Sequence, residues 1–178
     1  MRRRSNRFPG GWLFALLAAT LFGGCAGAPS PAGRHGIPTK HRTVVCGDIQ
    51  KEGRGYVPSD IRAEFVQTPG AYVYIYTEWF DLTPGQTYLV RWDYYRAEGE
   101  LTETKTYRFR PPEPRAYTAG RISLDPGDGF PPGIFQVEVY INDVFISVTR
   151  FLLAEDEEGL ERLRSELEAM ETKREPGS

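Results

Sequence analysis

Apolar and polar residues alternate in short runs along residues 42–153, which is the pattern of half-buried β-strands. The runs are rich in Val, Ile, Tyr, Phe and Thr, and clusters of Pro, Gly and Asp separate them. The pattern predicts eight strands, at residues 42–46, 61–66, 71–79, 86–95, 101–110, 117–124, 133–141 and 144–152. Seven or eight short strands with regular turn signals are typical of an all-β, antiparallel, two-sheet sandwich.

Turn-forming residues mark the breaks between these strands. Residues 68–70 and 83–85 both read Thr-Pro-Gly, where the proline presets φ and the glycine accepts positive φ. Asn142-Asp143 lies between the last two predicted strands, and both residue types tolerate left-handed φ. We therefore expect those two strands to form a hairpin with a two-residue turn.

Strand parity assigns the faces of several strands. Phe135, Val137 and Val139 alternate with polar residues and should point into the core. Trp92 lies between Arg91 and Asp93, so parity also turns its ring inward, and we expect it at the centre of the core.

The closing hairpin resembles that of immunoglobulin-like sandwich domains in secreted bacterial proteins, many of unknown function. The resemblance rests on Pro132-Gly133, the strand from Phe135 to Tyr140, Asn142-Asp143 and Phe151. Residues 46–49, 73–76 and 91–92 look like earlier strands of the same domains, and Asp143 stands where those domains usually have Gly. The resemblance covers about residues 43–152, and it implies an immunoglobulin-like β-sandwich in an exported compartment without implying an activity.

Three tyrosines share one face of the strand at 71–79. If Val73 and Ile75 face the core, then Tyr72, Tyr74 and Tyr76 form an exposed aromatic ladder. Such a ladder is a candidate face for a ligand or a protein partner, because tyrosine combines a rigid apolar plate with a polar tip. The alternative is that the rings are structural and pair across strands.

Residues 154–173 change to a helical period. Apolar residues recur three and four apart at Leu160, Leu163, Leu167 and Met170, with acids crowding the first turn. We predict an acidic amphipathic helix that either packs on the sandwich or frays, followed by a tail at 174–178.

Residues 1–24 have the organisation of a secretion signal. Four arginines within residues 2–7 precede an apolar run at 12–22. A run of this length is too short to span a bilayer, which requires about 20 residues. We therefore expect the segment to be cleaved from the mature protein.

Cys25 follows Leu21-Phe22-Gly23-Gly24, and this sequence resembles the lipobox of bacterial lipoproteins. The resemblance implies that Cys25 receives a diacylglycerol and becomes the mature N-terminus, although Phe22 stands where leucine is usual. The residue after the cysteine is Ala26 and not Asp, and in this respect the sequence resembles lipoproteins that are sorted to the outer membrane. Cleavage after the A-x-A site at residues 26–28 would instead discard Cys25 and release a soluble periplasmic protein.

Residues 25–41 combine the lipidated cysteine with a segment rich in Pro, Gly and Ala, which we interpret as a flexible tether. His35 and His41 lie in or beside it, and we expect neither to bind a metal. Cys46 is the one thiol left after lipidation, and its apolar neighbours predict that it is buried.

From Cys25 onward, 22 − 4 = 18 basic residues face 24 acidic ones, so no basic footprint for nucleic acid is present. The sequence contains no G-x-S-x-G, H-E-x-x-H, P-loop or C-x-x-C motif. We therefore predict a non-enzymatic, lipid-anchored binding or scaffold module of the cell envelope, with a protein partner and without a cofactor or a small-molecule ligand. The alternative is a carbohydrate or peptidoglycan binder that uses the tyrosine face.

Overall fold

A computed structural model describes residues 37–53 and 55–174 of the chain, which form one compact unit. It contains the strands β1 (Lys40–Glu52), β2 (Gly55–Ile61), β3 (Glu64–Val66), β4 (Tyr72–Phe80), β5 (Tyr88–Arg96), β6 (Leu101–Phe109), β7 (Ala116–Ser123), β8 (Gly133–Ile141) and β9 (Val144–Ala154), and the helix α1 (Glu157–Arg174). The predicted signal peptide, Cys25 and His35 lie outside the described residues.

The strands form two sheets that pack face to face. The four-stranded sheet has the order β2-β1-β4-β7, and the five-stranded sheet has the order β3-β9-β8-β5-β6. This is an immunoglobulin-like sandwich, since the third and fourth long strands lie in different sheets and the last two strands form a hairpin beside β5. All pairs are antiparallel except β3 with β9, which run parallel.

The core lies between the two sheets and is filled by alternate residues of each strand. Phe135, Val137, Val139 and Ile141 of β8 are all fully buried, as the parity of that strand predicts. Trp92 is 1% exposed and packs on β7 at Gly120, where an added Cβ would lie 2.6 Å from the Tyr94 hydroxyl. Trp79 adds a second large ring, and its Nε1 donates a hydrogen bond to Thr118 Oγ1 at 2.9 Å.

The turns have the predicted chemistry. Gly70 and Gly85 have positive φ, and each Thr-Pro-Gly turn is closed by a hydrogen bond to the threonine carbonyl. Asn142 and Asp143 both adopt left-handed φ, at 48° and 63°, which is the geometry of a two-residue turn matched to strand twist. Asn142 also accepts a hydrogen bond from Leu89 N at 2.9 Å, which joins this turn to β5.

The structure differs from the sequence prediction in the first third of the domain. β1 begins at Lys40, inside the predicted tether, and continues to Glu52, where it turns into an unpredicted partner strand, β2. The predicted strand at 61–66 divides, because Ile61 belongs to one sheet whereas Glu64–Val66 crosses to the other. Pro58 hid β2, which is an edge strand and therefore tolerates a proline.

Candidate functional site

Helix α1 packs on the outer face of the five-stranded sheet, at the end where β9 finishes. The helix begins after Asp156, whose side chain accepts a hydrogen bond from Gly159 N at 2.7 Å. Ile134 and Leu152 of the sheet and Leu160 of the helix are buried together. The helix therefore packs rather than frays, and it covers only one end of this outer face.

A groove of about 340 Å³ lies between the far part of α1 and the uncovered sheet. Leu167 and Met170 of α1 form an apolar wall, and Tyr95, Gln136 and Glu138 of the sheet form a polar wall, with Ile134 beside them on the same face of β8. This volume is at the small end of the range for ligand pockets, and the open sheet continues from one side of it. We call the uncovered outer surface of β9, β8 and β5 the open face.

An ion pair crosses the mouth of the groove. Arg150 of β9 contacts Glu171 of α1 with an N–O distance of 3.2 Å, and both side chains are more than a third exposed. Exposed pairs of this kind contribute little to stability. A bound segment could therefore break this ion pair at a small cost in free energy.

Hydrogen bonds fix the polar groups of the open face. The Tyr140 hydroxyl donates to Glu138 Oε2 at 2.5 Å, and this bond, together with burial, raises the pKa of Tyr140 to about 12. The Arg91 guanidinium lies 4.2 Å from the centre of the Tyr140 ring, within the range of a cation–π contact.

Asp93 is the buried carboxylate of this face, and it is fully partnered. It accepts hydrogen bonds from Arg91 Nε at 3.0 Å and from Thr104 Oγ1 at 2.8 Å. Arg91 also reaches Asp143 at 2.8 Å, in the turn between β8 and β9. The open face is thus a preformed surface of satisfied polar groups, and Val148, which is 49% exposed, adds an apolar contact point.

The tyrosine ladder is the predicted site that the structure changes most. Val73 and Ile75 face the core, so Tyr72, Tyr74 and Tyr76 share the outer face of the four-stranded sheet, as parity requires. Tyr76, however, is 3% exposed, and Tyr72 and Tyr74 are half-buried. The expectation of an exposed three-ring ladder is therefore wrong for Tyr76, and a sugar platform built on all three rings is not available on this face.

The β1–β2 hairpin explains why these rings are covered. β2 is an edge strand, yet the Tyr56 ring lies 5.2 Å from that of Tyr117 on β7, at the opposite edge of the sheet. The Tyr76 hydroxyl donates to the Tyr56 carbonyl at 2.9 Å, and the Tyr76 ring stacks on Tyr117. The hairpin therefore folds over the sheet, and burial raises the pKa of Tyr76 to about 12.

Cys46 belongs to β1 of the same hairpin and pairs with Ile61 of β2. Its register partner on β4 is Tyr74, which places the thiol on the outer face of the sheet rather than in the central core. The thiol is nevertheless fully buried, and burial raises its pKa to about 11. The expected burial is confirmed, and it occurs on the outer face of the sheet.

The described part of the chain contains neither a grouped metal site nor a helix that could span a membrane. His41 is part of β1, with its ring 6.4 Å from that of Trp79. Within residues 37–53 and 55–174, no three His, Cys, Asp or Glu side chains are grouped so that they could hold a metal ion. In the same range, no helix has the length and apolarity needed to cross a bilayer.

The groove itself was not predicted from the sequence. Its polar wall consists of residues that parity places on the outer faces of β5 and β8. That wall becomes one side of a groove only because α1 packs beside it. Leu167 and Met170 were assigned to the apolar stripe of α1, and that stripe was the signal available in the sequence. In the structure both residues are half-buried beside the sheet.

Comparison with known proteins shows similarity at the level of structure. No protein-family model matches the chain. No curated protein matches it either. Among solved structures, the chain is similar to the sensor domain of the anti-sigma factor RsgI4 from Pseudobacteroides cellulosolvens, with 14% identity and a TM-score of 0.37 over 65% of this chain and 93% of that one. The fold assignment given above rests on the strand order of this chain.

Proposed function

We propose that this chain is a non-enzymatic, lipid-anchored binding or scaffold module of the bacterial cell envelope. Its groove and open face bind a segment of an envelope protein. The domain is held by a lipid on Cys25 to the periplasmic side of the outer membrane, in keeping with the sequence around that cysteine.

The groove is the observation that carries this proposal. Its apolar wall, formed by Leu167 and Met170, stays partly accessible beside charged groups that have partners within the protein, namely Glu138, which accepts from Tyr140, and the Arg150–Glu171 pair. A partner can therefore bury apolar surface there without stranding a charge. Apolar centres with polar rims are the arrangement that dominates protein–protein binding energy.

Paired variants test the groove. Gln136→Arg places a long cationic side chain on the polar wall, whereas Gln50→Arg makes the same change on the four-stranded sheet. We expect crosslinked envelope partners to co-purify with the Gln50→Arg protein as with wild type, and at least about tenfold less with Gln136→Arg. Both changes lie at the surface and should leave the free energy of unfolding within about 0.5 kcal/mol of wild type. Equal recovery of the same partners with both variants would contradict the proposed site.

Mass spectrometry of the mature N-terminus tests the anchor. We expect the terminus to be a diacylated Cys25, and the protein to partition into detergent. Cys25→Ser should abolish that partitioning, whereas Cys46→Ala, the matched change at the buried cysteine, should preserve it. An unmodified terminus at Pro29 would instead establish cleavage at the A-x-A site and a soluble periplasmic protein.

A further inference from the structure

One end of the sandwich combines exposed cations with exposed apolar side chains. β1 and β9 run in the same direction from this end. Thr43 Oγ1 lies 3.0 Å from Ser147 Oγ, and further along β1 Gly47 lies beside Phe65, whose register partner on β9 is Leu153. β6 finishes at the same end, since Phe109 is the register partner of Tyr88 at the start of β5. We call this surface the tether end, and it consists of Lys40, Arg42, Arg108, Arg110, Val144 and Phe145.

The tether end carries a local positive charge. Lys40, Arg42, Arg108 and Arg110 are exposed, and among the described residues none lies within ion-pair distance of a carboxylate. Two acids of this end, Glu78 and Asp143, are paired with arginines. Asp143 shares Arg91 with Asp93, so with the other two acids, Asp81 and Glu113, the balance is 4 − 3 = 1 positive charge.

The opposite end of the molecule is acidic. Residues 155–158 are four consecutive acids at the start of α1. The eleven residues of β9 separate them from Val144 by about 30 Å at 3.3 Å per residue. An anionic surface therefore attracts one end of this domain and repels the other.

The apolar part of the tether end is the β8–β9 hairpin. Val144 is 38% exposed and Phe145 is 52% exposed, directly after the Asn142-Asp143 turn. Aromatic side chains beside cations are suited to the headgroup region of a bilayer. The pair thus supplies a small apolar projection at this end of the sandwich, with Phe145 beside Tyr140 on the outer face of the five-stranded sheet.

The position of the N-terminus brings this end close to lipid, and this step rests on the proposed anchor at Cys25. The described domain begins at Ile37, three residues before Lys40. The twelve residues from Cys25 to Ile37 span at most about 40 Å in any conformation. The tether end is therefore the part of the described domain to which the anchored segment is joined.

We propose that the tether end docks on a bilayer containing anionic phospholipid, with Phe145 entering the headgroup region. The docked domain points α1 away from the lipid and leaves the groove free for its partner. Lipid contact thus fixes the orientation of the module as well as its location.

Tryptophan probes on the chain from Ala26 onward, which carries no lipid, test the docking separately from the anchor. Phe145→Trp places the probe on the hairpin, and Leu101→Trp places it at an equally exposed position, 52%, on the edge strand β6. Trp79 and Trp92 are buried and give a constant background. With vesicles of phosphatidylglycerol and phosphatidylethanolamine, we expect a blue shift of the emission at position 145 and none at 101. No shift at either position, or equal shifts at both, would overturn the proposal.

Charge variants provide the second arm. Lys40→Gln with Arg42→Gln should weaken sedimentation with these vesicles roughly 25-fold, or about fivefold for each cation. Arg162→Gln with Lys173→Gln removes the same charge from α1 and should change binding less than about twofold. Vesicles of phosphatidylcholine alone should not bind. Equal losses of vesicle binding from the two pairs of variants would show nonspecific attraction and overturn the proposal. A Phe145→Ser protein that loses a protein partner but binds vesicles as before would also overturn it. Because this protein carries no lipid, none of these results depends on whether Cys25 is modified in the cell.

Discussion

At the scale of single residues, Cys46 shows how a buried group is maintained outside the central core. Cys46 lies on the outer face of β1, and its neighbour Gly47 allows Asp60 of β2 to approach β1, since an added Cβ there would lie 2.3 Å from Asp60 Oδ2. Burial favours the neutral thiol, which is why the pKa of Cys46 rises to about 11 from an ordinary value of 9.0.

The raised pKa predicts a loss of stability in alkali. A pKa that is higher in the folded state gives stability that is complete below pH 9 and is lost as the pH rises towards 11, because the unfolded thiol ionises first. Wild type should therefore lose roughly 2 to 3 kcal/mol of unfolding free energy relative to Cys46→Ala over that interval. Denaturant unfolding at pH 8 and pH 11 measures the difference, and parallel pH curves for the two proteins would count against a buried thiol.

Gly120 is required for a different reason, namely the close approach of two core rings. An added Cβ would lie 2.6 Å from the Tyr94 hydroxyl and 3.0 Å from Trp92 Cδ2. Gly120→Ala should thus lower the free energy of unfolding by about 1 to 3 kcal/mol through overpacking. Gly55→Ala, where the nearest atom is 3.9 Å away, is the matched control and should stay within about 0.5 kcal/mol of wild type by chemical denaturation. Equal effects would mean that the rings move aside.

At the scale of elements, α1 is held to the sandwich by a small apolar cluster and an ion pair. Leu160 is 4% exposed beside Ile134 and Leu152. Arg164 of the helix pairs with Glu64 of β3, and this hydrogen-bonded contact lowers the pKa of Glu64. The helix is therefore part of the folded unit and forms one wall of the groove.

Leu160→Ala should cost about 2 to 4 kcal/mol of unfolding free energy, because the cavity would lie between the helix and the sheet. Leu163→Ala, at the partly exposed edge of the same cluster, should cost less than half as much. Thermal and denaturant melts of the two variants compare these costs. Similar small losses would show that α1 contributes little to the domain.

Periodicity could predict the elements that bury one face, and it could not predict those that do not. The alternation of β8 and the left-handed Asn142-Asp143 turn fixed the closing hairpin in advance. β2 was missed because Pro58 interrupts it and because residues on both of its faces are exposed, so it lacks the pattern of a strand with one buried face. Parity correctly placed Tyr76 on the outer face, but it contains no information about a hairpin that folds over that face.

At the scale of the whole molecule, function depends on which surfaces remain uncovered. The four-stranded sheet is covered by its own hairpin, and the five-stranded sheet is covered only at one end by α1. The groove joins Gln136 to Met170, residues far apart in sequence, so sequence patterns could describe each wall but not their meeting. We propose that a partner binds at this groove.

Site-specific photo-crosslinking in intact cells tests that claim most directly. A photoreactive residue at Met170 lies on the groove wall, and one at Tyr117 lies on the four-stranded sheet with 36% exposure. The proposed site predicts a discrete protein adduct from position 170, lost when Gln136→Arg is added, and no such adduct from position 117. The same adduct from both positions, or one from position 117 alone, would contradict the assignment of the groove as the binding site.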